Sequence, residues 1–168
     1  MQKFKASSME FIVEYVKEQY GFVRDAREVL LTYCKTISNS DYLKENGSFG
    51  RGGSIRNLLV HIANTYEFWI GKCALQKNVF FTTYGSKQNI DDTIALFGSI
   101  DILMFEFIEL LNRPEKRKID YEINGVKTSA EPFLLFSHVI THEFHHKGQI
   151  LSLSRHWGYT PVDTDIMR

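Results

Sequence analysis

The chain has 168 residues, 43% hydrophobic and 14% aromatic, enough apolar side chain for one domain spanning 1–168 to bury a core without cross-links. Lys plus Arg and Asp plus Glu each number 20, so no bulk positive field draws nucleic acid or an anionic membrane, and neither is expected as a partner. No run approaches a transmembrane span, and Met1 to Phe11 mix Lys3, Lys5, Ser7, Ser8 and Glu10 with isolated apolar residues, unlike the apolar region of a signal peptide; the expected compartment is the cytoplasm.

From about Ser8 to Ile37 apolar residues recur at helical spacing (Ile12, Tyr15, Val16, Tyr20, Val23, Ala26, Leu30, Tyr33), separated by charged residues such as Glu14, Arg24 and Arg27. This predicts a long first helix, in which Gly21 marks either a weak point or a close approach, at a cost of about 1 kcal/mol against Ala. Asn39 to Gly53 gathers Asn, Ser and Asp with Gly47, Gly50, Gly52 and Gly53, and reads as a loop. The only cysteines, Cys34 and Cys73, form no CxxC, which fits free thiols used as small buried residues.

Ser54 is placed to cap a second helix from Ile55 to about Cys73, with Leu58, Leu59, Ile62, Tyr66, Trp69 and Ile70 on its apolar stripe and Asn57, Asn64 and Glu67 on an expected solvated face. His61 sits at the edge of the stripe, where an imidazole serves either as a structural residue or as a ligand reaching a cavity between helices. Asn78 to Ile90 is aromatic but broken by Thr82, Thr83, Gly85 and Ser86, an irregular connection that can line a site. Asp91 or Asp92 can cap a third helix that runs to about Asn112 and stops at Pro114. Its many large apolar residues imply burial on more than one side, in a homodimer interface or at the centre of a bundle.

Arg117 to Ser129 alternates apolar and polar residues around Asn124-Gly125, a type I′ turn signal, and predicts a short hairpin. A fourth helix then starts at Thr128 with Glu131 as a capping box, or at Pro132, and runs to about His156, ended by Gly158 and Pro161. The tail to Arg168 is expected to lie loosely on the surface. Four long helices with one hairpin predict an all-α fold, an antiparallel-type four-helix bundle.

Four of the six histidines fall within His138 to His146 on the fourth helix. At about 100° per residue, Leu135, Val139, Ile150 and Leu153 collect on one side, with His142 and His146 among them and His138 and His145 towards the flank. Residues four apart share a face, about 5–6 Å between Cβ atoms, so His142 and His146 can converge on one ion. The alternative is that each is a separately hydrogen-bonded core or surface histidine. His142-Glu143-Phe144-His145-His146 also spells H-E-x-x-H, the zinc-protease pattern with Glu as general base. Gln149 and Ser152 stand where a metzincin extension needs Gly and His, and no Glu follows Glu143 to act as a third ligand, so the protease reading is the weakest.

Two stretches carry a broader likeness: Ser54-Ile55-Arg56-Asn57-Leu58-Leu59-Val60-His61-Ile62, with Trp69 beyond it, and His142-Glu143-Phe144-His145-His146-Lys147-Gly148-Gln149-Ile150. In these the chain resembles the DinB-like (damage-inducible) metalloproteins over nearly its full length. The resemblance implies a four-helix bundle with a crossover, often dimeric, and a divalent metal held by His61, His142 and His146. It also implies activities such as S-transfer or isomerisation that use low-molecular-weight thiols, for example bacillithiol or mycothiol. Lys147 replaces the usual Arg, a change expected to weaken recognition of an anionic substrate.

The leading functional expectation is therefore a metal-dependent transferase or hydrolase acting on a small molecule, with three imidazoles leaving positions open on the ion. Glu143, His138 and His145 are candidates for general base, though a surface or supporting role suits Glu143 at least as well. The alternative is a non-catalytic metal-binding stress-response protein. His and water ligands suit Zn, Ni, Fe, Co or Mn.

Overall fold

A computed structural model describes residues 2–48, 53–112 and 118–168, the first nine of them by backbone alone. The features read from Gly50, Gly52, Pro114 and Arg117 lie outside these residues. The chain forms α1 (Gln2–Cys34), α2 (Asn39–Leu43), α3 (Ile55–Tyr66), a π-helical continuation Glu67–Ala74, a 3-10 turn Tyr84–Ser86, α4 (Ile90–Leu111), β1 (Ile119–Ile123), β2 (Val126–Ala130) and α5 (Pro132–His156). The fold is all-α with one small antiparallel hairpin, registered from Ile119 opposite Ala130 to Ile123 opposite Val126.

Local chemistry sets the boundaries. The Ser54 hydroxyl accepts the Asn57 N–H at 3.0 Å and caps α3. Asn89, not Asp91 or Asp92, caps α4: its side-chain oxygen accepts the Asp92 N–H at 2.9 Å, leaving both acids in the first turn, where the helix dipole favours them. Pro132 opens α5 from its first turn, while Thr128 is spent in β2, so the capping box does not form. Asn124 and Gly125 take φ of 52° and 78°, the pair of left-handed conformations that a type I′ turn requires. In the stretch expected to be loop, α2 forms because Ser38 accepts the Asp41 N–H and Tyr42 is buried, its hydroxyl bonded to Thr93.

Side-chain pairings give the helix directions. Lys35 meets Asp91, Arg27 meets Asp101 and Arg24 lies over Phe105, so α1 and α4 run antiparallel. Arg27 meets Glu143 and Tyr33 meets Ser154, so α1 and α5 run parallel; Tyr66 on Glu143 and Trp69 on His138 make α3 and α5 antiparallel. It follows that α3 and α4 point the same way and the connection between them is the crossover. Fully buried Val16, Tyr20, Val23, Leu30, Leu58, Leu59, Ile62, Tyr66, Met104, Phe107, Val139, Ile150 and Leu153 fill the interior.

Three polar residues expected on a solvated face are instead engaged. Asn57 is buried; Asn64 both donates to the Thr82 carbonyl and accepts the Thr82 N–H, pinning the crossover connection to α3; Glu67 is half-buried, and burial raises its carboxyl pKa. The tail is likewise held specifically. Thr164 is buried with its carbonyl accepting from Lys147, and the Tyr159 hydroxyl donates to Asp41. Among the described residues no helix is long and apolar enough to cross a membrane.

Candidate metal centre

The antiparallel seam of α3 and α5 brings three imidazoles together. His61 from α3 stands with its ring centroid 4.9 Å from that of His142 and 4.8 Å from that of His146, and the two α5 rings are 4.4 Å apart. One nitrogen from each of the three lies within 4.8 Å of the others. His61 and His142 remain partly open to solvent, whereas His146 is 7% exposed. This is why the i, i+4 spacing matters: it stacks His142 and His146 one turn apart on the face that α3 covers.

Hydrogen bonding dictates which nitrogen is presented. Nδ1 of His146 lies 2.6 Å from Oε1 of Gln149, while Nε2 of Gln149 lies 3.2 Å from Nε2 of His145. An amide oxygen only accepts, so His146 carries its proton on Nδ1 and turns the Nε2 lone pair towards Nε2 of His142, 3.2 Å away. The buried Nδ1 of His142 has no hydrogen-bond partner among the described residues. Burial first, and then the neighbouring His146, His61, His138 and His145, lower the His142 pKa to about 4. The ring is therefore neutral near pH 7, the form that binds metal.

These observations fit a divalent cation. Two nitrogens each about 2.0–2.1 Å from a tetrahedral ion stand about 3.3 Å apart, close to the 3.2 Å between His142 and His146. Gln149 supplies the orienting partner that metal-binding histidines ordinarily have. The sequence reading overlooked it, although its positions three after His146 and four after His145 put it beside both rings.

Glu143 is placed elsewhere. It is 1% exposed, about 100° around α5 from His142, where Arg27 Nε and Nη2 donate to its two carboxylate oxygens at 2.9 Å each and the Tyr66 hydroxyl donates at 2.6 Å. Glu143 is thus not a surface residue: both its oxygens accept from Arg27, and Tyr66 adds a third hydrogen bond, so the carboxylate ties α5 to α1 and α3. Burial works against the Arg27 charge, but Glu143 more than offsets it and holds the guanidinium above its ordinary pKa. The sequence reading grouped Arg27 with the charged residues between the apolar ones; the signal it passed over is that Arg27 shares a face with Val23 and Leu30, where an arginine needs a buried partner.

Lys147 is also not at the mouth of the site. Its ammonium is buried, 2.9 Å from the Thr164 carbonyl and 3.9 Å from the centre of the Phe144 ring, and burial lowers its pKa to about 8. The expected effect on an anionic substrate therefore lacks a direct contact. Cys34 and Cys73 are buried free thiols, with Cys34 pushed up to about 12 by burial, so neither is a reactive thiolate. Of the flanking histidines, His145 is bonded to Gln149 and His138 packs its ring 5.1 Å from Trp69 and 5.8 Å from His142.

A helical bundle that gathers three imidazoles across facing helices defines a class of proteins with an interhelical histidine cluster suited to a metal. The DinB family profile matches residues 9–168. The chain belongs to the DinB family. A search of curated proteins gave no match.

Proposed function

We propose that His61, His142 and His146 hold a divalent cation and that the protein is a metal-dependent enzyme of small-molecule chemistry, an S-transferase using a low-molecular-weight thiol or a hydrolase. The observation that carries this reading is the donor set: three converging imidazoles, two of them partly exposed, with no fourth protein ligand in the group among the described residues. A bound divalent cation supplies Lewis acidity that lowers the pKa of a thiol or water.

The residues of the chain do the rest. Gln149 keeps the His146 proton on Nδ1 and so keeps Nε2 available. His138, one turn from His142 and exposed, is the better candidate to take up a proton released at the site, since the Nε2 of His145 already accepts from Gln149. Arg27, Glu143 and Tyr66 tie α1, α3 and α5 together at the level of the imidazoles and hold His61 against the α5 pair.

The test is metal analysis of natively purified protein followed by a thiol-transfer assay with bacillithiol, mycothiol and glutathione against a set of electrophiles. Stoichiometric metal with transfer that a chelator abolishes is the expected result. Bound metal with no turnover of any pair would favour the non-catalytic alternative.

A further inference from the structure

A line of aromatic rings runs outward from the candidate metal centre along the α3/α5 seam. The His138 ring lies 5.8 Å from His142 and 5.1 Å from Trp69, and Trp69 meets Tyr121 of β1 at 5.4 Å and Phe68 at 5.1 Å, each edge to face. Phe68 in turn lies 6.3 Å from Phe81 of the crossover connection. Four separate elements thus deliver rings to one strip. None of these rings is fully buried; Phe81 is 44% exposed and its neighbour Phe80 is 84% exposed. The π-helical turn that continues α3 contributes here, because i→i+5 bonding narrows the angle between successive side chains and lets consecutive Phe68 and Trp69 share the strip.

We propose that this strip is the substrate-side subsite of the metal centre and takes a planar aryl group from a ligand whose donor atom reaches the three imidazoles; this rests on the metal reading above. Partly exposed rings in edge-to-face array offer apolar area and a quadrupole that another ring satisfies better than water does. A cationic group is the poorer occupant, since the protein's own Lys72 ammonium already lies 5.7 Å from the centre of the Phe68 ring. The position is also right for selection: an aryl group lying on His138 and Trp69 is within one ring of His142, so a single small molecule can span both sites.

The experiment uses the full chain with Trp157→Phe, which leaves Trp69 as the only tryptophan, loaded with zinc and checked for zinc content. Benzohydroxamate and acetohydroxamate share one chelating group and differ in phenyl against methyl. Benzohydroxamate is expected to bind about tenfold or more tightly and to change Trp69 emission, with the preference falling to about twofold or less in Trp69→Leu and in Tyr121→Ser. Should Trp69→Leu fail to fold, Tyr121→Ser decides. A chain that binds no zinc overturns the metal reading and the subsite together. Zinc-loaded protein that binds both hydroxamates equally, or neither, overturns the subsite alone.

Discussion

Both carboxylate oxygens of Glu143 accept from the Arg27 guanidinium at 2.9 Å, in a pair of which the two side chains are 1% and 3% exposed. Arg27 also meets Asp101 at 2.7 Å, and Tyr20 donates to the same oxygen. Such a pair costs heavily in desolvation, so its removal as a unit and its disruption have different consequences. Arg27→Met leaves a buried carboxylate with Tyr66 as its one side-chain donor among the described residues and is expected to destabilise the fold by about 3–5 kcal/mol, whereas Arg27→Met combined with Glu143→Leu recovers most of that loss. Denaturant unfolding of the parent, the single variant and the double variant measures both. A single variant within about 1 kcal/mol of the parent would contradict the account.

Gly21 lies mid-way along α1, and a Cβ built on it meets nothing within 4 Å. Of the two readings open from the sequence, the weak point is the correct one, because no neighbour approaches closely enough to need a glycine. Gly21→Ala should therefore stabilise the protein by about 1 kcal/mol through helix propensity alone. An unchanged or lowered midpoint in thermal unfolding would refute this.

Gln149 contacts two imidazoles at once, so its replacement separates orientation from ligation. Gln149→Leu removes the acceptor that holds the His146 proton on Nδ1 and is expected to lower zinc affinity by about 10-fold to 100-fold. Gln149→Glu keeps an acceptor at the same place and should bind far more nearly like the parent. Competition with a chromophoric chelator reads both; equal losses in the two variants would show that Gln149 acts by packing instead.

The assignment of ligands has its own test. Titration of His61→Ala, His142→Ala and His146→Ala with zinc or nickel should show losses of tenfold or more each, on the order set by the loss of even an orienting partner, while His138→Ala, His145→Ala and His156→Ala retain most of the affinity. If His61→Ala binds like the parent and His138→Ala does not, the triad is wrongly drawn.

Much of this was legible from residue pattern. The helical periods of Val16-Tyr20-Val23 and Leu58-Leu59-Ile62 marked helices because burial repeats with the turn, and Asn124-Gly125 marked a hairpin because few other pairs tolerate two positive φ values. The nearness of His142 and His146 followed from spacing; that of His61 rested on resemblance, since an edge position on one helix does not say which helix it will meet. For Glu143 the turn of about 100° from His142 already allowed a supporting role away from the imidazoles; which helix it would meet was not legible, and the fold supplies Arg27 of α1. The π-helical turn had no cue, as i→i+5 bonding leaves no period of its own in so short a stretch. Asn57 and Asn64 were read as solvated for being polar, although an amide is well suited to pin a passing loop.

The last expectation concerns acidity. In the folded chain the His142 pKa is lowered from 6.5 to about 4, by burial first and by the surrounding histidines after it. The unfolded chain then binds more protons than the folded one between about pH 6.5 and pH 4, so stability rises with pH across that window and is lost as pH falls through it. Above the window the ring is neutral in both states and adds no slope; below it the ring is charged in both and the loss is complete. Metal-free protein, kept so with a chelator, should therefore show a thermal midpoint that drops from pH 6.5 to pH 4, with a shallower drop in His142→Gln. Zinc should raise the midpoint near pH 7 and lose that effect at the acid end, because the proton and the cation compete for the same imidazoles. Parallel curves for the parent and His142→Gln, with chelator present, would assign the acid sensitivity to other groups and remove His142 as its source.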